Sequence, residues 1–140
     1  MVDVRREELA AWAKARNSAI PSSADLVPVS DDASFRRYFR FSEGADGLVF
    51  VDAPPEHEDN QSFVKISGAL IAGGLNCPRV IQHDFDLGFL IISDLGNSLY
   101  LGHIREKPEE RNRLYREAVA AISRMQQVPR TARMAMAQVV

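Results

Sequence analysis

Five short strand-like runs, with a single helix lodged between the third and the fourth, constrain this 140-residue chain more than any other feature it has. From Asp25 onward the apolar residues stop recurring at helical spacing and begin to alternate, as LVPV, then SFRRYFRF, then LVFVDA. Glu43-Gly44-Ala45-Asp46-Gly47 reads as a turn within that stretch, and Pro54-Pro55 as its stop, so the pattern predicts an antiparallel three-stranded meander. PRVIQHDF and GFLIIS predict a second hairpin about a turn at Asp86-Leu87-Gly88. Between the two sets, Phe63, Val64, Ile66, Leu70 and Ile71 fall in one broad arc of a helix that Gly73-Gly74 closes. In the second strand the period of two puts Phe35, Arg37, Phe39 and Phe41 on one face, and Ser34, Arg36, Tyr38 and Arg40 on the other. One face reads as apolar and the other as basic.

The flanks are helical. Asp3 is the expected N-cap of an opening helix with Glu7 and Glu8 near its start and Leu9, Trp12, Ala13 and Arg16 at helical spacing; Asn17, Ser18 and Pro21 end it. Trp12, alone on the apolar side, reads as a core anchor. After Asp94-Leu95-Gly96-Asn97, a loop and short helical turn lead to Pro108, which opens a helix with Glu109 and Glu110 in its first turn. Leu114, Ala118, Ile122 and Met125 form one stripe of that helix, and Pro129 stops it. The class is therefore α+β, with an amino-terminal helix and linker over 1–24, the sheet and its packed helix over 25–97, and a linker and helix over 98–140.

A chain of this length, 46% hydrophobic and 26% charged, suits one ordinary domain able to bury roughly 70% of its unfolded surface. Its longest apolar runs, Leu48 to Val51 and Phe89 to Ile92, are far below the ~20 residues that span a bilayer, and the start lacks a signal-peptide block. These features predict a cytoplasmic protein without membrane partners. The single Cys77 forms no internal disulfide and no structural zinc site. Residues 1–40 carry seven basic and six acidic side chains, 41–104 two and nine, and 105–140 eight and four. The sheet region is thus acidic, which opposes a nucleic-acid backbone.

Three antiparallel strands, a packed helix and two more strands make the small lobe of a protein-kinase-like fold. DDASFRRYFRF at 31–41, LVFVDAPPEHED at 48–59, AGGLNCPRVI at 72–81 and GFLIISDLGNSLYL at 88–101 sharpen this. Together they resemble the amino-terminal part of the aminoglycoside phosphotransferase-type small-molecule kinases. Within that family they are most similar to the bacterial kinases that phosphorylate the anomeric hydroxyl of N-acetylmuramate and N-acetylglucosamine in cell-wall recycling.

The resemblance implies an ATP and Mg²⁺ dependent transferase. Ser34 and Phe35 then lie at the tip between the first two strands, where backbone N–H groups meet phosphates, and Arg36 and Arg40, on the Ser34 face, read either as phosphate contacts or as surface arginines of an edge strand. That tip also contains Asp31 and Asp32 but no glycine, so an ordinary hairpin turn is the alternative. Ser93, Asp94 and Leu95 fall at the hinge that receives adenine, through the main chain of Ser93 and Leu95. Asp94 reads either as a ribose contact or as a cap on the following turn.

Two departures matter. Protein kinases place a lysine on the third strand, paired with a helix glutamate; here LVFV is followed by Asp52, and residues 60–74 contain no acidic side chain. Lys65 points away from the apolar arc and does not replace it. Asp52 itself reads as a feature of the sugar-kinase branch or as a strand-end turn residue. The second departure is catalytic. His83-Asp84-Phe85-Asp86 sits in a hairpin, with Ile91 where a metal-binding Asn belongs; His57 and His103 read as exposed surface histidines. No catalytic residue and no metal ligand is assigned, and VPRTARMAMAQVV shows neither a sheet nor a second core. The chain is therefore expected to be truncated relative to the family and inactive alone. The alternative is a non-catalytic module that self-associates through its exposed last helix.

Overall fold

The computed structural model describes residues 1–30 and 34–129. Its elements are α1 (Val4–Arg16), β1 (Leu26–Pro28), β2 (Arg37–Phe41), β3 (Leu48–Asp52), α2 (Asn60–Ala72), β4 (Val80–Asp84), β5 (Phe89–Ser93), α3 (Tyr100–Glu106) and α4 (Arg111–Gln126). The strands form one antiparallel sheet in the order β1-β2-β3-β5-β4. The predicted α+β class, with five antiparallel strands and a helix packed between the third and fourth, is what the chain adopts. No helix among the described residues is long and apolar enough to cross a membrane.

The sheet has two apolar faces, and the chain covers each with a helix. On the α1 side, Leu9, Trp12 and Ala13 pack against Phe39, Phe41, Phe50, Phe89 and Ile91. On the α2 side, Val49, Val51, Ala53, Leu90 and Ile92 pack with Tyr38, Phe63, Val64 and Val80. Successive residues of β3 and β5 thus serve opposite cores, which is why LVFV and FLII read as unbroken apolar runs. Trp12 meets Phe89 with ring centroids 5.7 Å apart, as its reading as an anchor requires.

Local chemistry sets the element ends. The Asp3 side chain accepts the Arg6 N–H at the start of α1, and Asp59 does the same for Ser62 at α2. The hairpin between β4 and β5 turns at Gly88, whose φ is +72°; a side chain there would run into the Ala53 carbonyl and Pro55. In return the Gly88 carbonyl accepts the Ala53 N–H at 2.8 Å, fixing the hairpin to the end of β3.

The structure corrects the readings of Phe35 and His103 and adds detail to those of Arg37 and α2. Phe35 is not on the core face: β2 begins only at Arg37, and Phe35 is 61% exposed, stacked on His57 with centroids 4.0 Å apart. The cause is the partner strand, since β3 ends at Asp52 and Pro54-Pro55 have no N–H with which to continue the ladder. Arg37 does share a face with Phe39 and Phe41, but a buried carboxylate meets it there. The apolar arc of α2 is only half buried; its buried residues are Asn60 and Ser67, the latter donating to the Pro78 carbonyl at 2.6 Å. His103 is not a free surface histidine, because its Nε2 lies 2.7 Å from Glu110 Oε2. Asp31, Asp32 and Ala33 of the predicted tip, and residues 130–140 of the VPRTARMAMAQVV segment, lie outside the described residues.

Candidate functional site

Asp52 is neither exposed nor a turn residue. It is fully buried on the α1 side of β3 and accepts from Arg5 Nε at 2.7 Å and from Arg37 Nη2 at 2.6 Å. Arg37 also reaches Asp3, with Nη1 2.5 Å from Oδ2. The hydrogen bond from Arg37 holds the Asp3 carboxyl below its ordinary range, and Asp3 and Asp52 push the guanidinium up in turn. This network ties α1 to β2 and β3, and the site candidate Arg36 lies on the opposite side of the sheet, against Phe63 of α2.

On the α2 side, the phosphate-end candidates come together only in part. Ser34 Oγ accepts the Arg36 N–H at 3.2 Å, while Phe35 turns outward onto His57. Arg36 turns inward: its side chain is 14% exposed, its guanidinium sits 4.3 Å above the centre of the Phe63 ring, and Nη2 lies 3.0 Å from Glu58 Oε2 and 3.2 Å from Asn60 Oδ1. Asn60, itself buried, donates to the Ala53 carbonyl at 2.8 Å, so the start of α2 is fastened to the end of β3. Sequence reasoning misses Glu58, because an acidic partner is expected inside the helix and this residue stands just ahead of its cap.

The hinge candidates occupy the exit of β5, at the other end of the strands. Ser93 donates its N–H to the Arg79 carbonyl at 2.9 Å and accepts the Arg79 N–H on Oγ at 2.8 Å. Asp94 receives Arg40 on both oxygens, at 2.6 and 2.8 Å, and accepts the Gly96 N–H at 2.7 Å. That arrangement is the turn cap, and the hydrogen bond from Arg40 holds its carboxyl below the usual range. Arg40 also donates to Asn97 at 2.8 Å. The Leu95 main chain has no hydrogen-bond partner among the described residues.

An apolar cavity of about 300 Å³ lies between α2 and the sheet, lined by Tyr38, Phe63, Ile66, Leu70, Cys77 and Ile92. Burial pushes the Cys77 thiol up. Lys65 is exposed and outside this space, as its helical position predicts. Among the described residues no group of three or more His, Cys, Asp or Glu side chains is arranged to hold a metal ion.

Comparison with known proteins agrees with this architecture. The model of the APH phosphotransferase enzyme family matches residues 25–137. The chain is 44% identical over 105 residues to the N-acetylmuramate/N-acetylglucosamine kinase of Pseudomonas aeruginosa, covering 75% of this chain and 30% of that protein. It is 33% identical over 136 residues to the kinase of the same name from Pseudomonas putida (91% and 39%) and 36% identical over 110 residues to that of Neisseria meningitidis (76% and 32%). The chain thus spans between about three tenths and two fifths of the length of these relatives. With a kinase-like sheet, a packed helix and a match over most of its residues, the chain belongs to the APH phosphotransferase enzyme family.

Proposed function

We propose that this chain is the nucleotide-holding part of an ATP-dependent phosphotransferase whose acceptor is the hydroxyl of an amino sugar. One observation carries the reading. Along the α2 side of β2 and β3, the open main chain of Leu95 follows the end paired with Leu48, and Arg36 precedes the end where Arg37 pairs with Asp52. Leu48 and Asp52 are four residue steps apart, about 13 Å at ~3.3 Å per residue, and Leu95 and Arg36 lie just beyond those two ends, a span suited to an extended nucleotide.

In this reading the purine edge meets the Leu95 main chain and the carbonyl of Ser93, whose N–H is already spent on Arg79. Asp94 holds the hinge in place through Arg40 rather than touching ribose. Ser34, Phe35 and Arg36 lie at the phosphate end, with Arg36 the cation. Such a lobe works by positioning and by electrostatics, since phosphoryl transfer demands little covalent chemistry from the protein. Mg²⁺ would neutralise developing charge on the phosphates. The described residues do not fit that ion: Glu58 is engaged by Arg36, Asp59 by the α2 N-terminus and Asp94 by Arg40. The lobe spans 25–97, the whole protein acts in the cytoplasm, and the 140 residues bind nucleotide without turning over.

The acceptor class rests on the names of the relatives. Isothermal titration of adenosine, ADP and ATP tests the nucleotide reading: binding of all three supports it, and no heat with any of them removes it. A second reading, self-association through α4, is favoured by the outward Tyr115, Val119 and Ile122, each at least 55% exposed. Light scattering that shows a dimer abolished by Ile122→Lys would support it, and a monomer at high concentration would dismiss it.

A further inference from the structure

The end of β3 that faces α2 carries Val51 and Ala53, both fully buried and neither able to bind an anion. The cation at that end, among the described residues, arrives instead from the neighbouring strand. Arg36 is stacked on Phe63 and fastened through Nη2 alone, to Glu58 and Asn60. Its Nε is buried and has no partner among the described residues. A guanidinium held on Nη2, with Nη1 unspent among the described residues, is oriented to receive an oxyanion on Nη1.

We propose that Arg36 contacts the nucleotide phosphates and that Glu58 and Asn60 are the positioning residues that set its place, so that the ion pair other kinases build between β3 and their helix is built here between the residue before β2 and the residue before the α2 cap. This rests on the nucleotide reading above. Glu58 and Asn60 flank the Asp59 cap, and Asn60 grips the Ala53 carbonyl. The seat of Arg36 is therefore set by the start of α2 and the end of β3 together. Arginine rather than lysine suits it, because the flat guanidinium covers the Phe63 ring while keeping donors at its edge.

The test compares ADP with adenosine by isothermal titration for the wild-type chain, Glu58→Gln and Arg36→Lys, with thermal melting of each variant. The expected result is that ADP binds the wild type more tightly than adenosine. That advantage falls about tenfold in both variants while adenosine affinity stays at the wild-type level. A purely structural role for Glu58 would weaken both ligands alike and leave their ratio unchanged, which overturns the proposal. Arg36→Lys keeps the positive charge and decides the matter in the same way where Glu58→Gln does not fold. If adenosine binds and ADP binds no better, the assignment of Arg36 fails while the nucleotide reading stands; if neither binds, both fall.

Discussion

The Asp52 carboxylate lies 2.6 Å from Arg37 Nη2 with no exposed surface of its own, although the arginine is 35% exposed. A buried anion is tolerable only with partners, and Arg5 supplies the second one from α1. Asp52→Asn is expected to cost about 3 kcal/mol, the lower end for a broken buried pair, because the two arginines regain some water. Urea unfolding should show a lower midpoint with an unchanged slope. A loss under about 1 kcal/mol would mean that α1 is not fastened in this way.

Glu110 binds His103 and Arg113, and those hydrogen bonds lower its pKa from 4.5 to about 2. A depressed carboxyl stabilises the fold above its ordinary value and ceases to do so as pH falls through the folded value. The junction of α3 with α4 should therefore loosen between pH 4.5 and about 2, followed by amide chemical shifts of Lys107 to Arg113. Glu110→Gln should show the loosened spectrum already at neutral pH, and identical spectra in the two proteins would contradict the assignment.

Gly88 holds a positive φ with the Ala53 carbonyl and Pro55 pressed against the place of its missing side chain. Gly88→Ala should lose more than about 1 kcal/mol, because the strain and the displaced carbonyl add together. Gly47→Ala, with a similar φ but open space around it, should lose less. Equal losses would show that the crowding has no effect.

Arg40→Met removes the bidentate contact to Asp94 and the bond to Asn97. Hydrogen exchange at Gly96, whose N–H rests on Asp94, should accelerate, and adenosine affinity should fall by a larger factor than the ADP advantage does. An unchanged exchange rate would remove Arg40 from the support of the hinge.

Most of the architecture is legible in the chain because its punctuation is strong: the Asp3 cap, Gly73-Gly74, Pro54-Pro55 and the alternation of β2 all act locally. The rest depends on pairings between distant segments. Periodicity cannot say where a ladder starts, so alternation alone groups Phe35 with Phe39 and Phe41 although no partner strand reaches it. Asp52 reads as punctuation because its two arginines come from elsewhere in the chain. Arg36 and Glu58 lie on separate elements, and only the folded sheet shows that they touch. The exit of β5 is partly legible: the sequence offers Asp94 as a cap on the following turn, and it accepts the Gly96 N–H, while its bond from Arg40 joins residues 54 apart.

Arg36 and Arg37 are neighbours in the chain and strangers in consequence. Along β3 and β5 a mutation survey should disturb the two cores in turn, the one under α1 at one residue and the one under α2 at the next.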